Sequence, residues 1–187
     1  MPTALLLVDI QQGLFTPPLE PYQGDAVLAR LAALLERARN RRVPIFHVRH
    51  DGGMGSVLAR GLPGWFHHSA VAPRGAEPIV DKRHSSAFHD TDLHEQLSQK
   101  DIDHVVVVGL QTEYCVDSAC RTAVALGYRV TLVEDGHTTY DTPVLSAAQI
   151  IMHHNRTLDG SLVDLITAEN AFAAKPTKAR RIPEEGT

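Results

Sequence analysis

Short apolar runs alternate along this chain with stretches whose apolar positions recur every three or four residues, the periods of buried strands and of helices packed on one face. Residues 4–8, 44–48, 78–80, 104–108 and 129–133 read as strands. Between them Leu28, Leu31, Leu35 and Ala38 recur at helical spacing, as do Val116, Ala119 and Ala123, and then Val144, Ala147 and Ile151. Asp25 is placed to cap the first helix, Asp92 to cap one running through Leu97, and Thr142-Pro143 to start the helix after the fifth strand. A short sixth strand is expected near 161–165. This alternation predicts an α/β fold: one Rossmann-like domain of three layers, α/β/α, around a mainly parallel sheet of five to six strands. The domain is expected to fill residues 1–174, followed by a charged, proline-containing tail at 175–187.

Residues 51–77 break the alternation with Gly52, Gly53, Gly55, Gly61, Pro63, Gly64, Pro73 and Gly75, interleaved with Trp65, Phe66, His67 and His68. Irregular segments this long inside a domain are usually functional or disordered. The bulky side chains favour a lid or a subunit contact over a free linker.

Composition narrows the function. A chain of 187 residues with net charge -4 and no basic block argues against nucleic acid as a partner. No apolar run approaches the roughly 18 residues of a membrane span, and Asp9 interrupts the first run before it could serve as a signal segment. A soluble cytoplasmic protein is expected. Cys115 and Cys120 are five apart, which on a helix separates them by about 140°, so both are expected as free thiols rather than a disulfide.

The candidate chemistry centres on Gly109-Leu110-Gln111-Thr112-Glu113-Tyr114-Cys115-Val116-Asp117, which follows the apolar stretch 105–108 and opens a helical pattern. Ligands in parallel α/β folds bind beyond the carboxyl ends of strands, where helix N-termini present free N–H groups. Cys115 falls at that edge, and the dipoles there are expected to lower its thiol pKa. Asp9 ends the first strand and Lys82 lies just beyond the third. If those strands neighbour the Cys115 strand, the carboxylate can take the thiol proton and the ammonium can favour the thiolate. Backbone N–H groups of Gln111 and Cys115 are the natural oxyanion donors. Singly, each residue would mean little: free cysteines are usually core hydrophobes and lysines are usually solvated.

Together these residues resemble the isochorismatase-like cysteine hydrolases, which include nicotinamidases and N-carbamoylsarcosine amidohydrolases. The likeness runs over roughly residues 3–165. Leu7-Val8-Asp9-Ile10-Gln11 is similar to the strand bearing the family's catalytic aspartate, Asp81-Lys82 with Ser86-Ala87-Phe88 to the lysine segment, and 109–117 to the nucleophile segment. The resemblance implies catalytic Asp9, Lys82 and Cys115, a cis peptide before Gln111, and a homo-oligomer, dimer or tetramer. It also implies hydrolysis of a C–N bond in a small amide or N-carbamoyl compound through a thioester, without a cofactor. Asp51 is followed by Gly52-Gly53 where nicotinamidases carry an Asp-x-His zinc motif, which argues against zinc and nicotinamide. Gln11, Phe15, Trp65, Gln111, Tyr114 and His137 are the expected substrate contacts, and the aromatics of the long loop suggest an aryl or heterocyclic amide.

His50, His67, His68, His84 and His89 cluster along the long loop and the lysine segment, but no pair has ligand spacing with a carboxylate, so no metal is expected. His137 could line the pocket or cap a turn. The competing reading is a module of the same fold that binds a ligand or senses oxidants through a low-pKa Cys115 without turnover. A nucleotide-binding role lacks a glycine fingerprint or P-loop.

Overall fold

The computed structural model of the chain describes residues 2–173; the expected tail at 175–187 lies outside them. The strands are β1 Thr3–Val8, β2 Ile45–His50, β3 Ile79–Lys82, β4 His104–Leu110, β5 Arg129–Thr138 and β6 Asp164–Ile166, and the α-helices are α1 Gly24–Asn40, α2 Leu93–Ser98, α3 Asp117–Ala125 and α4 Ala147–Leu158. All strand pairs are parallel, in the order β3-β2-β1-β4-β5-β6. The α/β expectation is met with six strands.

Alternation along β1 divides the core. Ala4, Leu6 and Val8 face one layer with Leu93 and Leu97 of α2, Ala119 and Ala123 of α3 and Leu158 of α4. Leu5 and Leu7 face the other layer, where α1 lays down Leu28, Leu31, Leu34, Leu35 and Ala38. Burial of each such leucine stabilises the fold by about 2 kcal/mol. β4, with no exposed residue, runs through the middle, as expected of a parallel strand covered on both faces.

Three local expectations change. Gln23, with φ 51, precedes α1, and Asp25 sits inside the first turn rather than at the cap. Asp92 stands at the N-cap of α2 but makes no side-chain cap bond. Helix α4 starts at Ala147, because Ser146 and Gln149 form a reciprocal capping box. Thr142 instead closes a turn on the amides of Val144 and Leu145, leaving Val144 solvent-exposed. The buried face of α4 accordingly carries Ile150 in place of Ile151.

The long segment after β2 is packed against the end of β1. The Gln12 amide donates to the Phe66 carbonyl, the His68 amide to the Ile10 carbonyl, and Gln11 pairs with His67 in an antiparallel bridge. Trp65 is buried, with the Arg49 guanidinium 3.4 Å from its ring centroid and Arg60 on the same ring at 5.4 Å. No helix among the described residues is long and apolar enough to cross a membrane.

Candidate active site

The carboxyl ends of β1, β3 and β4 deliver the three predicted residues to one point. Asp9 follows β1 with φ 51, a left-handed conformation that aspartate tolerates better than most residues. Lys82 ends β3, two strands away across β2, and its side chain spans that gap. Its Nζ lies 2.7 Å from Asp9 Oδ2 and 3.2 Å from Cys115 Sγ. The ammonium also donates to the His84 carbonyl at 3.0 Å and approaches His50 Nδ1, at the end of β2, at 3.3 Å. Asp9 and Lys82 are both buried. Asp9 Oδ1 has no hydrogen-bond partner among the described residues, leaving an acceptor for a proton.

Close approach of β1 and β4 makes this meeting possible. Gly109 pairs with Val8 and adopts φ 140, and a Cβ there would lie 2.0 Å from the Val8 carbonyl oxygen. Only glycine meets both demands. The Leu110–Gln111 peptide that follows is cis. Cys115 then sits in a π-helical turn, Thr112–Val116, that leads into α3. The turn is tied back through the Gln111 carbonyl, which accepts from the Tyr114 and Val116 amides.

The expected depression of the Cys115 pKa is reversed. Burial pushes the thiol up to about 12; the Asp9 charge adds to the rise, and Lys82 opposes it. A half-buried thiol beside a carboxylate is held in its neutral form, since both desolvation and the adjacent negative charge disfavour the thiolate. Cys120 is fully buried in the core and, like Cys115, forms no disulfide.

Several expected substrate contacts prove to be scaffold. Gln11 is fully buried: its Nε2 donates to the carbonyls of His50 and Trp65, each at 2.9 Å, while its Oε1 accepts from the His50 amide at 2.8 Å. It stitches the ends of β1 and β2 to the long loop and has no donor left for a substrate. His137 is locked between Thr112 Oγ1 at 2.8 Å and Asn155 Oδ1 at 2.9 Å, and burial lowers its pKa to about 4. Phe15 packs on the α1 side, its ring 5.3 Å from that of His68. Trp65 underlies the guanidiniums of Arg49 and Arg60 rather than covering an open site. Gln111 is half-buried and Tyr114 exposed, in the segment that carries Cys115.

A cleft of about 340 Å³ reaches Lys82 and is lined by Asp51, Arg60, Asp81, Arg83, His84 and Asp90. None of the six predicted contacts lines it. Asp9 and Cys115 are not among the lining residues of this cleft, and its walls are ionisable rather than aromatic. Their charges are largely paired: Arg60 meets Asp81 at 3.0 Å, Arg83 meets Asp51 at 3.2 Å, and Arg49 holds Asp81 from behind at 2.7 Å. The Asp51 carboxylate also accepts from the amides of Gly53 and Arg60. With guanidiniums on one oxygen and two amides on the other, Asp51 does not fit a zinc ligand. A larger cavity of about 570 Å³ opens at the opposite, amino-terminal edge of the strands. It holds neither cysteine, and both nitrogens of its His104 are engaged, by Thr3, Arg129 and Thr131.

Comparison with known proteins agrees with this architecture. Residues 3–157 match the Isochorismatase domain. Two streptothricin hydrolases of Streptomyces noursei are similar: one is 38% identical over 75% of this chain and 51% of its own length, the other 33% identical over 98% and 74%. The chain thus spans about half the length of the first of these relatives. Maleamate amidohydrolase of Pseudomonas putida is 30% identical over 71% of this chain and 70% of its own. The crystal structure of an isochorismatase-family protein from Chromobacterium violaceum superimposes with a TM-score of 0.85 at 31% identity, covering 91% of each chain. The chain therefore belongs to the isochorismatase family.

Proposed function

We propose that the chain hydrolyses a C–N bond of a small amide or N-carbamoyl compound by covalent catalysis on Cys115. The observation that carries the reading is the Lys82 ammonium bridging the Asp9 carboxylate and the Cys115 sulfur at 2.7 and 3.2 Å in a buried site. As Sγ attacks the carbonyl carbon, the thiol proton passes to Asp9, whose Oδ1 is otherwise unpartnered. The tetrahedral oxyanion is held by the backbone N–H groups of Gln111 and Cys115. Asp9 returns the proton to the departing nitrogen, ammonia or an amine leaves, and a thioester remains on Cys115. Water deprotonated by Asp9 attacks the thioester, releasing acid and thiol, while Lys82 offsets the charge that appears between carboxylate and sulfur.

A neutral resting thiol suits this sequence, because the Asp9 carboxylate takes the thiol proton only as Sγ attacks, so the thiolate forms when substrate arrives. It also weighs against the oxidant-sensing alternative, which needs a thiolate at neutral pH. The maleamate amidohydrolase relative, by its name, supports the amide class. The test is ammonia release from a panel of primary amides and N-carbamoyl compounds by wild type and Cys115→Ala. The reading expects release by wild type alone; equal release by the variant, or none across the panel, overturns it.

A further inference from the structure

Beyond that reaction, and independently of it, we propose that His84, His89 and Asp90 form a binding site for a divalent transition ion such as zinc on the rim of the cleft. The three side chains come from one loop after β3 and each offers a ligand atom, all within 4.8 Å of one another. Both imidazoles turn the same nitrogen toward a single carboxylate oxygen: His84 Nε2 lies 3.2 Å and His89 Nε2 3.7 Å from Asp90 Oδ2. Two imidazoles with a carboxylate are a ligand set suited to zinc, copper or nickel rather than to calcium or magnesium.

The rings are stacked, with centroids 4.0 Å apart and planes 15° from parallel. A metal must lie near the plane of each ring it binds, so the two have to fan apart about their shared Nε2 edge. Both side chains are exposed, and neither has another side-chain hydrogen bond among the described residues, so little opposes that rotation. His84 and Asp90 also line the cleft, and the His84 carbonyl accepts from Lys82. An ion held here stands at the entrance with coordination positions left for water or an incoming oxygen. The site is separate from Asp51, whose oxygens are already taken.

The test is equilibrium dialysis against zinc chloride of wild type, Cys115→Ser, His89→Ala and Asp90→Asn. Asparagine is chosen because it tolerates the left-handed backbone of Asp90, φ 52. The proposal expects a single zinc on wild type and Cys115→Ser, with affinity lower by at least about tenfold in the other two variants, since even losing a partner of a ligand costs that much. Carbethoxylation mapped by mass spectrometry on wild type supplies a readout free of substitutions: zinc should protect His84 and His89. Absence of bound zinc, equal binding by His89→Ala and Asp90→Asn, loss of zinc with Cys115→Ser, or unprotected His84 and His89 would overturn it.

Discussion

Replacing Asp9 by asparagine should move two properties of Cys115 in opposite directions. The carboxylate is the second-largest cause of the raised thiol pKa, after burial. With the thiol at about 12, about one molecule in ten thousand carries a thiolate at pH 8, four pKa units lower. A single charge at this range shifts a neighbouring group by about 1–3 units, so Asp9→Asn should lower the Cys115 midpoint by that amount. Ionisation becomes easier while catalysis fails, because asparagine cannot accept the thiol proton; loss of a general base costs about 10²–10⁴-fold in turnover. The substitution also leaves Lys82, which is fully buried, without its counter-charge, at a cost of about 3–5 kcal/mol. Urea unfolding must therefore accompany the assay. The midpoint is read from thiolate ultraviolet absorbance across pH, with Cys115→Ala subtracted to remove Cys120. A folded Asp9→Asn whose midpoint is unchanged or higher, or whose turnover survives, would refute the reasoning.

Stability should fall on mild acidification. Burial lowers the pKa of His137 and of His67 to about 4, below the unfolded value of 6.5. The unfolded chain therefore binds more protons between those values, so stability is complete above 6.5 and is lost as pH falls toward 4. His137 alone accounts for at most about 3 kcal/mol; urea midpoints at pH 7 and pH 5 check this, and a slope no flatter in His137→Gln would contradict it. Gln11→Leu should cost about 3 kcal/mol through the three hydrogen bonds of its buried side chain. A substrate contact would instead raise KM with stability intact, which paired unfolding and kinetic measurements distinguish. Gly109→Ala places a Cβ 2.0 Å from the Val8 carbonyl oxygen at φ 140 and should cost about 3 kcal/mol or more. A soluble Gly109→Ala with wild-type melting would show that β1 and β4 can part without consequence.

The layers of the fold were legible because parallel strands buried on both faces leave unbroken apolar runs, as in 4–8 and 105–108. The placement of Asp9, Lys82 and Cys115 was legible for a related reason: each lies at or just beyond the end of a strand, and parallel strands deliver their carboxyl ends to one edge. What escaped depended on contacts distant in sequence. Nothing around Gln11 announces that its amide is consumed by His50 and Trp65, and nothing around His137 announces Asn155. Arg60 and Arg83 lay inside or beside a glycine-rich segment without periodicity, so their places on the cleft wall had no local signal. The capping box at Ser146 could have been found, since a serine followed three residues later by glutamine is its signature, but Thr142-Pro143 stood earlier and competed for the same start. The sign of the Cys115 shift failed for a different reason: position relative to a helix was readable, but the depth of burial and the proximity of Asp9 were not.

The most direct measurement of the central claim is intact-protein mass spectrometry of wild type quenched in acid during turnover of an amide that releases ammonia, followed by peptide mapping. The account predicts a transient mass increase equal to the acyl group, confined to the peptide containing Cys115 and absent from Cys115→Ala. Steady ammonia release with no adduct at any time, together with turnover by Cys115→Ala, would contradict it and assign hydrolysis to direct attack by water.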